Sequence, residues 1–268
     1  MIYDFDRIIP RRNTDSLKFD YAKKRGRPED ILPLWVADMD FSAPPEVLFA
    51  LRERVEHGIF GYSDAAGSGY FDALNGWYQN RFDYSFQESW LTKTPGVVYA
   101  LCVAIRALTR EGDGVLIQPP VYYPFTESVV ENNRVLVQNV LVEQDGHYEI
   151  DFADFERQIA EHNVKLFLLC SPHNPVGRVW TREELLTMGN ICLRHGVVVV
   201  SDEIHADFVY PGYRHTVFAS LKPEFEAMTI TCTAPSKTFN LAGLQIANIF
   251  IANSLLRKKF RVEVNASG

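Results

Sequence analysis

Val197-Val198-Val199-Val200-Ser201-Asp202-Glu203-Ile204-His205 is the stretch on which the reading of this chain turns. Four consecutive β-branched residues leave no polar face, which is the pattern of a strand buried on both sides, as in a parallel sheet covered by helices. An isolated carboxylate is costly to bury, so Asp202, close behind the run, demands a partner at the strand's end. Upstream, Thr181-Arg182-Glu183-Glu184 has the form of a capping box and opens a helix to about His195. Before it, Lys165 to Cys170 is another strand-length apolar run, and Asp151 can cap a helix to about Glu161. Val135 to Val142 reads as a strand. Val115 to Gln118 reads as a short one ending in Pro119-Pro120, with a helix after Pro124. Downstream, Thr229 to Thr233 and Ile246 to Ala252 are two more strands. Strands that are apolar throughout and alternate with helices define the α/β class, a mostly parallel sheet with helices on both faces.

Three further helices precede this pattern, over about 45–57 behind Pro44-Pro45, over about 69–81, and from Gly96 to a stop near Glu111-Gly112-Asp113-Gly114. Residues 1–33 are polar and read as an extended arm, so the expected organisation is an N-terminal segment over 1–44 and one large domain over 45–268. No Pro/Gly/Ser-rich linker divides the latter. Ser254 to Val264 reads as a helix that leads nowhere, which implies a larger protein with a C-terminal part missing from this sequence.

Bulk properties narrow the function classes. The 268 residues carry a net charge of −7, 47% hydrophobic residues and no basic block, which argues against nucleic acid or an anionic membrane as partner. The N-terminus has no apolar signal region and the apolar runs are strand-sized, so the chain is expected in the cytoplasm. Cys102, Cys170, Cys192 and Cys232 lie far apart in apolar segments without a Cys-x-x-Cys, the spacing of buried free thiols and not of a metal site.

In open α/β sheets ligands bind beyond the carboxyl ends of the strands. There this sequence has Ser171-Pro172-His173-Asn174-Pro175-Val176-Gly177, then Ser201-Asp202-Glu203-Ile204-His205, then Ser236-Lys237-Thr238-Phe239-Asn240. An amide, a carboxylate with a nearby imidazole, and an amine thus follow three strands. In this order and spacing the runs resemble fold-type-I enzymes dependent on pyridoxal 5′-phosphate (PLP), of the class I/II aminotransferase superfamily. Leu34-Trp35-Val36-Ala37-Asp38-Met39-Asp40-Phe41 and Ala242-Gly243-Leu244-Gln245 narrow the resemblance to the MalY/PatB group of cystathionine β-lyase-like C–S lyases.

That resemblance implies a PLP-dependent transferase-like large domain with a sheet of the seven-stranded type, the C-terminal small domain being absent. It makes Lys237 the catalytic residue, carrying the cofactor as a Schiff base and moving the proton at the substrate Cα. An exposed surface lysine is the bland alternative. Asp202 would keep the pyridine nitrogen protonated. Asn174 would bond the phenolic oxygen, although an Asn also suits a turn between two prolines. His205 stands where many relatives have a Tyr reaching that oxygen, or else it is a satisfied histidine close by. Gly96, Val97 and Val98 match the phosphate-binding turn, a helix N-terminus with free N–H groups, and Ser236 would add a donor. Tyr122 would stack on the ring, with Tyr123 as the alternative and core packing as the bland reading. Tyr62 of the partner subunit would reach the phosphate across a homodimer interface. Trp35, Ala37 and Asp38 would lie near the substrate entrance.

Where many aminotransferases carry an Arg eight positions after the Schiff-base lysine, this chain has Gln245, which weakens the transaminase reading. The expected reaction is therefore α,β-elimination from L-cystathionine or a related cysteine S-conjugate, giving pyruvate, ammonia and a thiol. A PLP aminotransferase is the alternative. A non-catalytic PLP-binding regulator or inactive fragment is the third reading, because the family's substrate-carboxylate arginine lies in the small domain.

Overall fold

The computed structural model describes residues 4–64 and 69–267. Two compact units divide the chain, one formed by Met1–Tyr62 with Pro235–Leu244, the other by Ser63–Ala234 with Gln245–Gly268.

The larger unit is a seven-stranded sheet in the order β1-β9-β8-β7-β6-β2-β3. Its strands are β1 (Leu91–Thr94), β2 (Gly114–Ile117), β3 (Val135–Gln138), β6 (Val164–Cys170), β7 (Val198–Asp202), β8 (Thr229–Thr233) and β9 (Ala247–Phe250), and β4 (Val142–Gln144) and β5 (His147–Glu149) form a separate hairpin. The run from β8 to β3 is parallel throughout, and β2 and β8 are buried along their whole length, as in a sheet covered on both faces. β9 is antiparallel to both β8 and β1. Two reversals restore direction, so β1 and β8 end on the same edge of the sheet.

The helices of this unit are α2 (Tyr70–Phe82), α3 (Val97–Leu108), α4 (Pro124–Val130), α5 (Phe152–Glu161), α6 (Arg182–His195), α7 (Pro223–Met228) and α9 (Ser254–Ala266); α1 (Pro45–His57) and α8 (Pro235–Thr238) belong to the smaller unit. The α6 capping box is complete, with Glu184 N–H donating to Thr181 Oγ1 (3.2 Å) and Thr181 N–H to Glu184 Oε2 (2.7 Å). Asp151 caps α5 by accepting from Asp154 N–H at 2.9 Å.

Strand alternation sorts the core into two layers. Val200, Leu168 and Cys170 face α3 and α9 in one cluster; Val199, Phe167 and Leu169 face α5, α6 and α7 in the other. Among the described residues no helix is long and apolar enough to cross a membrane, and no group of His, Cys, Asp and Glu could hold a metal ion.

Three expectations need correction. Val135 to Val142 is not one strand. The chain leaves β3 after Gln138 and re-pairs locally, because Asp145-Gly146, both at positive φ (52° and 80°), fold 142–149 into a hairpin. The third helix stops at Leu108, where Thr109 Oγ1 bonds Ile105 O at 2.5 Å, and not near Gly112. Cys102 is only half-buried, with Sγ 3.5 Å from Ser128 Oγ, while the other three free thiols are buried as expected.

Candidate active site

The parallel strands deliver their last residues to one edge. Register sets Cys170 of β6 beside Asp202 of β7, and Asp202 beside Cys232 of β8. The ladder continues one step past the strands, with Ser171 N–H on Asp202 O and Glu203 N–H on Cys232 O, each at 2.9 Å. Asp202 is therefore fixed by backbone on both sides. It is 6% exposed, and its Oδ1 accepts Ile204 N–H at 3.1 Å. Val198, Val200 and Asp202 alternate onto the α3 face of the sheet, so the carboxylate stands on the same side as that helix.

The loop after β6 carries Asn174, half-buried. Its carbonyl accepts Tyr122 N–H at 2.9 Å, which ties it to the loop after β2. His173 Nε2 is 2.9 Å from Pro120 O and makes a second tie between these loops. A brace from α6 holds the far side: Arg178 Nη2 forks onto Glu184 Oε1 and Oε2 (2.6 and 2.8 Å), its guanidinium lies 4.7 Å from the Trp180 ring centre, and Trp180 Nε1 donates to Cys170 O at 3.0 Å. Tyr122 is brought into the field of Asp202. Burial raises its hydroxyl pKa first, then the charges of Tyr123, Asp202 and Glu127. Cys170 and Cys232 are likewise pushed up by burial and then by Asp202. Tyr122 and Tyr123 meet edge to face with centroids 5.2 Å apart, so both rings stay within the same loop.

The N-terminus of α3 opens on this edge, because β1 ends at Thr94 in register with Ala247 of β9, one position from the Asn248 that pairs with Thr233 of β8. Gly96 is the N-cap, with extended backbone (φ −177°, ψ 165°) that any residue could adopt. A Cβ placed on Gly96 meets no described atom within 4 Å. Neither backbone strain nor packing against the described residues calls for glycine here. The first-turn N–H groups of α3, those of Val97 and Val98 included, have no intrahelical acceptor and form its positive dipole end. His205 is half-buried, edge-on to Phe208 with centroids 6.2 Å apart.

In the smaller unit Lys237 and Ser236 lie in α8, both half-buried. The loop after α8 reaches the 38–41 segment through Asn240, whose Oδ1 accepts Met39 N–H (3.0 Å) and whose Nδ2 donates to Phe41 O (2.8 Å). Arg11 donates to Asp38 and, at 2.8 Å, to Asp40, while Lys18 pairs with Asp40 at 3.2 Å. Burial alone would raise the Asp40 carboxyl, but the bonds from Arg11 and Lys18 prevail and hold it below the usual carboxylate range. Arg11, Asp38, Asp40, Phe41, Asn240 and Gly243 line a cavity of about 370 Å³. Asp38 and Trp35 are half-buried, with the indole Nε1 of Trp35 buried and lacking a hydrogen-bond partner among the described residues, and Ala37 is exposed. Tyr62 is fully exposed.

Arg178 and Trp180, which brace the loop after β6, and Glu203, buried at the end of β7, were not among the residues singled out from sequence. Arg178 and Trp180 carry no local pattern that marks them; Glu203 could have been flagged as a second carboxylate on a strand end, the place where buried charge is hardest to hold.

The model of the aminotransferase class I and II family matches residues 29–263. Cystathionine beta-lyase PatB of Bacillus subtilis is 48% identical over 99% of this chain and 68% of its own length. Protein MalY of Escherichia coli is 33% identical over 97% of this chain and 66% of its own. The crystal structure of the PLP-bound C-S lyase from Staphylococcus hominis superposes with a TM-score of 0.92 at 37% identity, covering 98% of this chain and 66% of that one. The chain thus spans about two thirds of the length of each.

Proposed function

Because the chain belongs to the aminotransferase class I and II family, in the group of PatB and MalY, we propose that it is a pyridoxal-phosphate-dependent C–S lyase acting on L-cystathionine or related cysteine S-conjugates. The observation that carries this reading is the 48% identity to a cystathionine beta-lyase across 99% of the chain. The geometry suits the cofactor: a buried carboxylate at a strand end, an amide loop tied to Tyr122, and an open helix N-terminus on the same edge provide for a cationic ring nitrogen, a ring substituent and a phosphate.

Pyridoxal phosphate, when bound, supplies an electron sink for charge developing at the substrate Cα. The protein's part is positional and protonic. Asp202 would hold a proton at the ring nitrogen, where a buried carboxylate pairs strongly with a cation. Asn174, with His205, would serve the phenolic oxygen. The N–H groups of Val97 and Val98, with Ser236, would hold the phosphate. Tyr122 would cover the ring face. Lys237 Nζ would hold the cofactor covalently and, once the substrate amine has displaced it, would be free to accept the proton from the substrate Cα as the β-thiolate leaves. Trp35, Ala37 and Asp38 would lie near the entering substrate. We further propose a cytoplasmic homodimer in which Tyr62 of the partner subunit completes the phosphate site. Gln245 in place of an arginine favours elimination over transamination.

Two measurements test the reading. Purified protein given PLP and L-cystathionine, without any keto acid, should release pyruvate and thiol; turnover only on adding a keto acid would make it an aminotransferase. Borohydride should fix the cofactor on Lys237, and a Lys237→Ala variant that still acquires the label would overturn the site.

A further inference from the structure

Behind the strand that ends in Asp202 lies a second carboxylate that the reading above does not use. Glu203 follows Asp202 directly, so it projects from the opposite face of the sheet, beside Ser201 and away from α3. It is 1% exposed. Three donors converge on it: Ser201 Oγ (2.9 Å) and Phe218 N–H (3.0 Å) on Oε1, and His215 Nε2 (2.9 Å) on Oε2. An ionised carboxylate is an acceptor only, and it is the form that satisfies all of these bonds. His215 is fully buried with its ring edge-on to Phe82 (centroids 5.3 Å), and its Nδ1 has no hydrogen-bond partner among the described residues. One ring N–H, on Nε2, therefore meets the geometry, and a second would be stranded. The titratable groups that feel the Glu203 charge from neighbouring elements are Tyr78 of α2, Tyr84 beyond it and Cys232 of β8. Burial is the main cause of their raised values, and all three are neutral at pH 7. The near cation Arg81 is engaged by Asp207 at 2.6 Å. Glu203 thus places a net negative charge in the core, one residue from Asp202.

We propose that Glu203, held ionised by Ser201, the Phe218 amide and His215, is a positioning residue whose charge acts through the sheet to keep protons on the cofactor held at Asp202. This rests on the assignment of Asp202 to the ring nitrogen. In a medium of effective dielectric about 20, a fixed anion about 10 Å from a cationic group shifts that group's titration upward by about one pH unit.

The test is a pH titration of the visible absorbance of the PLP-loaded chain, with PLP dissociation constants and apo melting temperatures measured in parallel. E203Q keeps the shape and removes the charge; its titration midpoint should fall by about one unit and its PLP affinity should drop several-fold. E203D keeps the charge and should titrate within about 0.3 unit of wild type, which a merely structural role would not separate from E203Q. Should E203Q fail to fold, E203L/H215F, which replaces the whole buried pair by apolar groups, takes its place, and its midpoint should fall by the same amount. A folded E203Q, or in its place E203L/H215F, with an unmoved or raised midpoint overturns the proposal. D202N separates the two levels. If D202N leaves affinity and band unchanged, the Asp202 assignment fails and this inference with it; if D202N weakens binding while E203Q titrates like wild type, only this inference fails.

Discussion

Replacing Gly96 by alanine separates what the protein needs from what its ligand needs. The native backbone at Gly96 is extended, and an added Cβ meets no described atom within 4 Å. Alanine is a poorer N-cap than glycine by about 0.5–1 kcal/mol. Against this, alanine restricts the unfolded chain and recovers about 0.4–1 kcal/mol. The two effects offset, so the apo protein should melt within about 2 °C of wild type. Binding should respond very differently. The methyl group would occupy the space through which a phosphate approaches the N–H groups of α3, and losing one hydrogen bond to a charged group costs about 1.5–3 kcal/mol. A cost of about 2 kcal/mol is roughly a thirty-fold rise in the PLP dissociation constant. Differential scanning calorimetry of the apo chain and a fluorescence titration with PLP measure the two quantities. Unchanged affinity would show that the phosphate lies elsewhere; a melting point many degrees lower would show that the glycine serves packing after all.

Three other expectations concern the scaffold. Gly189→Ala in α6 should gain about 1 kcal/mol of helix propensity, yet the new Cβ would lie 2.2 Å from Phe225 Cε2, a ring that is fully buried and stacked on Phe218 with centroids 5.2 Å apart. The clash should win by about 1–2 kcal/mol in urea denaturation, with G189A/F225L recovering part of it; a stabilised G189A would contradict the packing. Thr181→Ala removes the acceptor for Glu184 N–H and should lower stability by about 1 kcal/mol, seen as a shifted urea midpoint at constant slope. His173 is buried, which lowers its proton affinity below the ordinary histidine value against the raising effect of its backbone bonds. Its folded value is depressed, so its neutral form supports the fold above about pH 6.5; as pH falls below that, the unfolded chain takes up the proton first and stability drops by up to about 1.4 kcal/mol per pH unit. H173N should flatten that part of the stability–pH curve, and an unaltered slope would exclude the effect.

Much of this protein was readable from local signals. The capping box at Thr181 gave the start of α6, and His195 before Gly196 gave its end, because caps and left-handed glycine stops are fixed by residues next to one another. The valine run over 197–200 gave a strand buried on both faces, and the strand ends at 170, 202 and 233 placed an amide loop, a carboxylate and an amine-bearing segment after three parallel strands. The hairpin at 142–149 carried its own signal in Asp145-Gly146, but the apolar run across 135–142 masked it, since periodicity alone does not show where a short strand changes partner.

Sequence by itself therefore determined the α/β class, most element boundaries and the chemical types at the strand ends, because these depend on side-chain pattern within a few residues. Only the tertiary structure decided that Cys170, Asp202 and Cys232 lie level across three strands, that Tyr122 is bonded to the Asn174 loop, and that His215 closes on Glu203 behind the sheet. Register and the meeting of distant loops follow from how whole faces pack together, and no window of neighbouring residues contains that information.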